Sequence, residues 1–544
     1  MVVVGIFAAV YAFGILRHRG LIDAFGHIIG VDLLTMRTGA RIVLDGRGAD
    51  LYDVAVQETY WRTALGVERL PGMSLFTSPP FVALLYVPWA LVPQAPALVL
   101  WTAASLAALA AALRIMARCA PLTGRHWPDT LVLSLSFYPI LEGLMAGSNS
   151  LLARPGLLDL AGNVKGGDFL EFYAAGRIVA AHQTDHLYDL DVQARVEHEI
   201  TAPERWSGFH AFITPPFFAL PFVPLATLPY LAAFALWSGL GILFLLATLS
   251  LLGRQVGDAG TGRRAAALWV LAFVPVFAAV SYGQNSLLSL FILAGVFALL
   301  RRERDGLAGV VLGCLLYKPQ LVLVLGLLLL LERRWRALLG LGAMGGVLAA
   351  VSLWMSVPAA RSYARLARSF PTMLADPAFP TWKMHSLYSF FVLLLPRHLA
   401  AAAGLAAISA LGVLLAVRTL QPPYRPDTLH RWFAVAIWGS VLVSPHVPVY
   451  DLSLLVLPAL LLRSERRDEA LWRGGVALIW AMTIVSQPLA QWLRAALGPS
   501  LQLSVPAIAA AGYCLLGTSR PPGGSSESQK AHARAPDGKA GQRT

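Results

Sequence analysis

The chain has 544 residues, which at about 150 per domain would make three or four soluble domains. Hydrophobic residues are 57% and charged ones only 13%, against roughly 25% charged in a globular chain, and the mean hydropathy is +0.63. So few charges cannot cover a water-exposed surface, which excludes a soluble enzyme, a coiled coil and a disulfide scaffold and leaves a polytopic membrane protein.

The net charge of +13 and pI near 9.9 do not point to nucleic acid. The basic residues sit in short clusters between apolar runs: Arg263-Arg264, Arg301-Arg302 with Arg304, Arg333-Arg334 with Arg336, and Arg463 with Arg466-Arg467. This is the positive-inside pattern, so those loops are expected in the cytoplasm and no nucleic-acid partner is expected. Cys119, Cys314 and Cys514 are scattered without ligand spacing and read as packing residues. No metal or cofactor is expected.

An apolar run over 2–16 opens the chain, followed by Arg17, His18 and Arg19. A cleaved signal peptide carries its charge before the apolar run, so this segment reads as a spanning helix. Next comes a repeat at a constant offset of 136 residues. Asp32 falls on Asp168, Arg41-Ile-Val on Arg177-Ile-Val, and Leu51-Tyr-Asp53 on Leu187-Tyr-Asp189. Ser78-Pro-Pro-Phe81 falls on Thr214-Pro-Pro-Phe217, Trp101 on Trp237, and Gly147-Ser-Asn-Ser-Leu-Leu152 on Gly283-Gln-Asn-Ser-Leu-Leu288. Shared Pro, Trp, Gly and Asn are not matched by hydrophobicity alone, so this reads as a partial duplication.

Each copy opens on a polar stretch with Asp and two short amphipathic helices, 169–181 and 190–200 in the second. A Pro-bounded apolar segment, 215–229, follows; it is too short to cross a ~30 Å core comfortably. Spans are predicted at 95–118, 129–147, 230–253, 265–282, 285–300, 337–357, 398–419, 431–443, 449–463, 472–488 and 500–517. Residues 305–332 read as a short hairpin broken at Lys318-Pro319-Gln320, and 358–384 as an external loop. The domains expected are a partial duplicate over 1–152, a junction over 153–167, a main region over 168–518 and a disordered tail over 519–544.

Asp168-Phe-Leu-Glu-Phe-Tyr-Ala-Ala-Gly176, Leu187-Tyr-Asp189 and Thr214-Pro-Pro-Phe-Phe218 resemble the opening of glycosyltransferase family 87. The order continues with Gly283-Gln-Asn-Ser286, Tyr317-Lys-Pro-Gln320, Glu332-Arg-Arg-Trp-Arg336, and Ser444-Pro-His446 with Tyr450-Asp451, so the resemblance spans about 166–465. It implies an all-α polytopic GT-C-like fold of about 12–14 transmembrane helices with amphipathic extracytoplasmic loop helices. It also implies a bacterial plasma membrane, an extracytoplasmic active site, and transfer of a hexose, mannose by family likeness. The donor would be a polyprenyl-phosphate sugar, the acceptor a lipid or glycan, and membrane lipids the surroundings. The first copy departs from the family pattern, reading Asp32-Leu-Leu-Thr-Met-Arg-Thr-Gly39. The second copy has no apolar span of its own in 153–167; the 129–147 span can stand in for it.

Such a transfer needs a carboxylate to deprotonate the acceptor hydroxyl and cations to stabilise the departing phosphate. By the resemblance Asp168 is the general base, with helix capping as its other reading. Glu171, one turn on, can share that face or be a solvated charge. Asp189 reads as a turn or cap. Lys318, between apolar stretches, is either a phosphate-binding cation or a snorkelling one. His446 is a phosphate or sugar donor or a satisfied kink residue, with Asp451 and Tyr450 orienting it. His385 and Lys383 are weaker candidates for the donor phosphate. Arg361, Arg365 and Arg368 would line one face of a loop helix, for phosphate or for water. A lipid or glycan transporter or flippase is the alternative, since transporters are often built from repeats. An even number of spans between the copies makes them parallel, however, and they cover only the first half of the chain. A catalytically inactive descendant is a further possibility.

Overall fold

The computed structural model describes residues 21–22, 28–68, 70, 72–119, 140–141, 144, 156–159, 162–204, 206–253, 267–376, 379–420, 422, 424–465 and 469–517. The 2–16 and 129–147 spans, the Gly147–Leu152 turn, the 254–264 loop and the 519–544 tail lie outside these residues, wholly or for the most part. Among the described residues every regular element is helical, with three isolated β-bridges. The chain divides into two compact units, Met1–Ala174 with Gln193–Ala211, and Ala175–Val192 with Phe212–Thr544.

The two copies adopt the same local structure at the 136-residue offset. The bridge Ile22–Ile28 recurs as Leu158–Val164. Gly30 and Gly166 both turn the chain at positive φ (+71° and +74°), a conformation that a side chain would strain. Helix Val54–Leu65 recurs as Leu190–Thr201, each after a short 3₁₀ turn. Tyr52 donates to the Ser78 carbonyl (2.9 Å) and Tyr188 to the Thr214 carbonyl (2.5 Å). Ile42, Leu51, Phe76 and Ala83 form a buried cluster in the first copy, and Ile178, Leu187, Phe212 and Ala219 are equally buried in the second.

Among the described residues of the second unit, four helices are long and apolar enough to cross a membrane: Tyr230–Leu251, Trp335–Met355, Leu399–Leu420 and Gly474–Ala495. Val274–Ser281 and Ser286–Arg301, bent by 119°, make a fifth if taken as one broken span. The rest of the 12–14 helices expected would have to come from shorter apolar helices such as Pro319–Leu331 and Leu429–Val443, or from segments outside the described residues. The 265–282 span is interrupted at Ala272-Phe273, because Pro275 opens a new helix and cannot continue the old ladder. The 358–384 loop is mostly helix, Val357–Leu374, started by Pro358 and by Ser356, whose hydroxyl accepts from the Ala359 N–H. Cys314 is half-buried, but Cys514 is exposed, so packing does not account for it.

The 305–332 hairpin forms as expected, with helix Asp305–Gly313, a 3₁₀ turn Cys314–Tyr317 and helix Pro319–Leu331. Its first arm packs on Trp335–Met355 through glycines. Gly309 faces the Ala337 carbonyl and Gly340 the Gly306 carbonyl, with no room for a Cβ at either. Small residues allow such backbone contact where lipid offers no hydrophobic drive for association. Gly309→Ala should therefore destabilise the protein by about 1–3 kcal/mol through overpacking. Gly342→Ala, pointing into open space on the partner helix Trp335–Met355, should stay within about 0.5 kcal/mol. Unfolding in detergent micelles measures both.

Candidate active site

The acidic cluster of the first unit is built where the second copy begins. Asp168 follows the Gly166-Gly167 turn and directly precedes helix Phe169–Ala180, with Glu171 in that helix's first turn. The Asp168 Oδ1 lies 3.8 Å from Nδ1 of His210, and both side chains are partly open to solvent. The His210 ring stacks on Trp206 with centroids 5.5 Å apart and planes 9° from parallel. Trp206 meets His198 edge-on at 6.3 Å. From behind, buried Glu197 accepts the His210 backbone N–H at Oε2 (3.1 Å).

Burial pushes the Glu197 carboxyl up to about 8, against a small opposing effect of the His210 N–H. It is thus protonated in the folded protein over a range where the unfolded chain ionises it. Stability falls as pH rises from about 4.5 to about 8, then levels off. Glu197→Gln lacks this penalty, so its melting temperature relative to wild type should rise between pH 5 and pH 8. A constant difference across that range in detergent melts would contradict a buried, protonated Glu197.

Neither His210 nor Glu197 stands out by periodicity. The sequence signal that finds them is the contrast between copies: at the 136-residue offset Glu197 falls on Trp61, Trp206 on Leu70 and His210 on Ser74. In the first copy Trp61 is packed with Ile28, Leu34, Leu65, Leu70 and Met73, an apolar plug where the second has ionisable groups. Asp32 lies inside helix Val31–Leu44 and is exposed. Asp189 caps helix Leu190–Thr201, accepting from the Asp191 and Val192 N–H groups at 3.1 and 3.4 Å; the capping alternative holds.

The second unit gathers the other expected residues into three places. Lys318 sits at the hairpin break with Nζ 2.5 Å from Asp451 Oδ1, which also accepts from Ser286 Oγ at 2.5 Å. Both charges are buried, and Tyr450 lies beneath the ammonium at 5.7 Å from its ring centre. Lys318 therefore spends its charge on Asp451. The expectation that Asp451 orients His446 is corrected accordingly, since its carboxylate holds Lys318 and Ser286. His446, at the Ser444-Pro-His break, packs its ring against Phe370 and Phe379 at 6.0 and 6.1 Å. Phe370 belongs to helix Val357–Leu374, on which Arg361, Arg365 and Arg368 are all exposed; Arg365 donates to Ser362 at 3.0 Å. His446 and the cationic helix are thus neighbours, as two separate sequence motifs could not reveal.

His385 needs a correction. It is fully buried, its Nδ1 is hydrogen-bonded to Ser504 Oγ at 2.7 Å, and burial drives its pKa down to about 3. A neutral interior imidazole is not a phosphate-binding cation. It belongs to a buried polar cluster in which Gln502 and Ser486 pair and Gln502 donates to the Met384 carbonyl (3.0 Å). Lys383 lies over the Trp382 ring at 5.3 Å.

Removing Asp451 would strand a buried ammonium. Asp451→Ala should cost about 3–5 kcal/mol, and Lys318→Met with Asp451→Leu should recover most of it. Detergent melts of the three proteins decide this. If the double variant is no more stable than Asp451→Ala, the pair is not the structural tie described here.

The fold defines an all-α polytopic membrane protein. Its sequence matches the family model of glycosyltransferase family 87 over residues 76–168 and 212–445, and the chain belongs to that family. The two matched stretches begin 136 residues apart, the offset of the repeat. No curated protein and no solved structure matches it. The chain is accordingly a membrane-embedded glycosyltransferase, using a sugar donor and an acceptor.

Proposed function

We propose that the enzyme is a GT-C-type hexosyltransferase moving a sugar, mannose by family likeness, from a polyprenyl phosphate to a lipid or glycan acceptor. Its setting would be the extracytoplasmic face of a bacterial plasma membrane. Asp168 is the general base, and Glu171 beside it orients the acceptor. Arg365, with Arg361 and Arg368, faces lipid phosphates, and His446 supplies a neighbouring hydrogen-bond donor. Lys318 and Asp451 act as an ion pair that holds the frame. The main catalytic region is 168–518, and 1–152 is a partial duplicate that keeps the scaffold.

The observation that carries this reading is the difference between the copies. Both build the same turn and helices, yet among the described residues it is the second that sets an aspartate beside a histidine, Asp168 and His210. The basic clusters support the sidedness. With Arg301-Arg302 and Arg333-Arg334 inside, the Asp-bearing stretch and the Arg helix fall on the opposite face.

In a lipid-linked-sugar transfer assay, Asp168→Asn should lower turnover by about 10²-fold or more, the range for losing a general base. Asp32→Asn should be near neutral. If Asp32→Asn abolishes transfer while Asp168→Asn is silent, the base lies in the first copy and the assignment fails.

A further inference from the structure

We infer that His210 is the proton relay of the transfer reaction, taking from Asp168 the proton that Asp168 removes from the acceptor. This rests on the reading of Asp168 as general base and adds the group that regenerates it.

The geometry comes from four contacts. The His210 Nδ1 faces the Asp168 Oδ1 at 3.8 Å, a separation that tightens to a hydrogen bond with a small side-chain turn or one water between. Trp206 fixes the plane of the imidazole by stacking, and Glu197 fixes its backbone by accepting the His210 N–H. Gly167 lies alongside the ring, where an added Cβ would stand in ordinary van der Waals contact, 3.9 Å from Nε2. Among the described residues, titratable groups near the ring include Asp168 on one side, Glu197 behind, and His198 beyond Trp206. Burial raises the Glu197 carboxyl to about 8, which favours its neutral form behind the ring.

The proton balance has a place for such a group. As the acceptor oxygen bonds to the sugar C1, the C1–O bond to phosphate breaks and the lipid phosphate leaves with the electron pair. The acceptor proton moves to the Asp168 carboxylate. A carboxylic acid cannot serve as base for the next turnover until it is rid of that proton. Neutral His210 accepts it, leaving an aspartate–imidazolium pair, and the partly exposed imidazolium passes it to water. Ser74, the counterpart in the first copy, has no basic nitrogen and cannot do this.

The test uses the full chain in detergent or nanodiscs with a polyprenyl-phosphate hexose as donor. His210→Ala should lower kcat by about tenfold or more with little change in KM, and added imidazole should restore part of the loss with saturation. His210→Asn, close in shape, should be as slow as His210→Ala while melting like wild type. Asp168→Asn should be inactive and unaffected by imidazole. Wild-type kcat in His210→Ala, or a loss in well-folded His210→Asn and His210→Ala that imidazole leaves untouched, would overturn the relay. Should Asp168→Asn be active, the base assignment itself falls, and the relay through Asp168 with it.

Discussion

A charge buried among apolar helices has to be answered from within the protein, and here Lys318 is answered by Asp451. The pair joins three interruptions of regular helix that would be untenable alone in lipid. Lys318 stands at the break of the hairpin, Asp451 in the 3₁₀ segment Val449–Leu455, and Ser286 at the 119° bend after Gly283. Each break frees backbone groups, which the membrane interior tolerates only where protein satisfies them. Tyr317 and Ser289 share a hydrogen bond of 2.8 Å beside the pair, and Trp237 donates to the Gly283 carbonyl at 2.9 Å. The desolvation cost of two buried ions is offset where three chain segments need one meeting point.

The two copies share a frame and differ in one lining. What both copies keep are backbone determinants: the positive-φ glycine, the tyrosine that ties a helix pair to the Pro-Pro turn, the capping aspartate and the buried Ile, Leu, Phe and Ala positions. What they do not share is the lining near the leading aspartate. Trp61 and Leu70 fill the first copy with apolar volume, while Glu197, Trp206 and His210 give the second a polar, partly open cluster. One frame thus carries either a plug or an ionisable site, decided by a few side chains.

Much of this was legible in the sequence. The all-α membrane fold follows from composition, the hairpin from the Lys-Pro break, and the repeat from Pro, Gly and Trp recurring at one fixed spacing. The cationic helix was visible because Arg361, Arg365 and Arg368 recur at helical intervals. The rest depends on long-range contact. Lys318 and Asp451 are 133 residues apart, and no periodicity links them. His385 stands in sequence beside Lys383 as if on a loop, but the chain buries it against Ser504, 119 residues on. His210 lies in a polar stretch whose only cue is that its counterpart in the first copy is a serine.

The central claim is that the second copy holds the reacting groups while the first supplies frame only. A photoactivatable polyprenyl-phosphate sugar analogue, cross-linked to the full chain and mapped by mass spectrometry, tests it most directly. The account predicts adducts within residues 162–212, centred near Asp168 and His210, that unlabelled donor displaces. Displaceable adducts confined to residues 28–78, with none in the second copy, would contradict it.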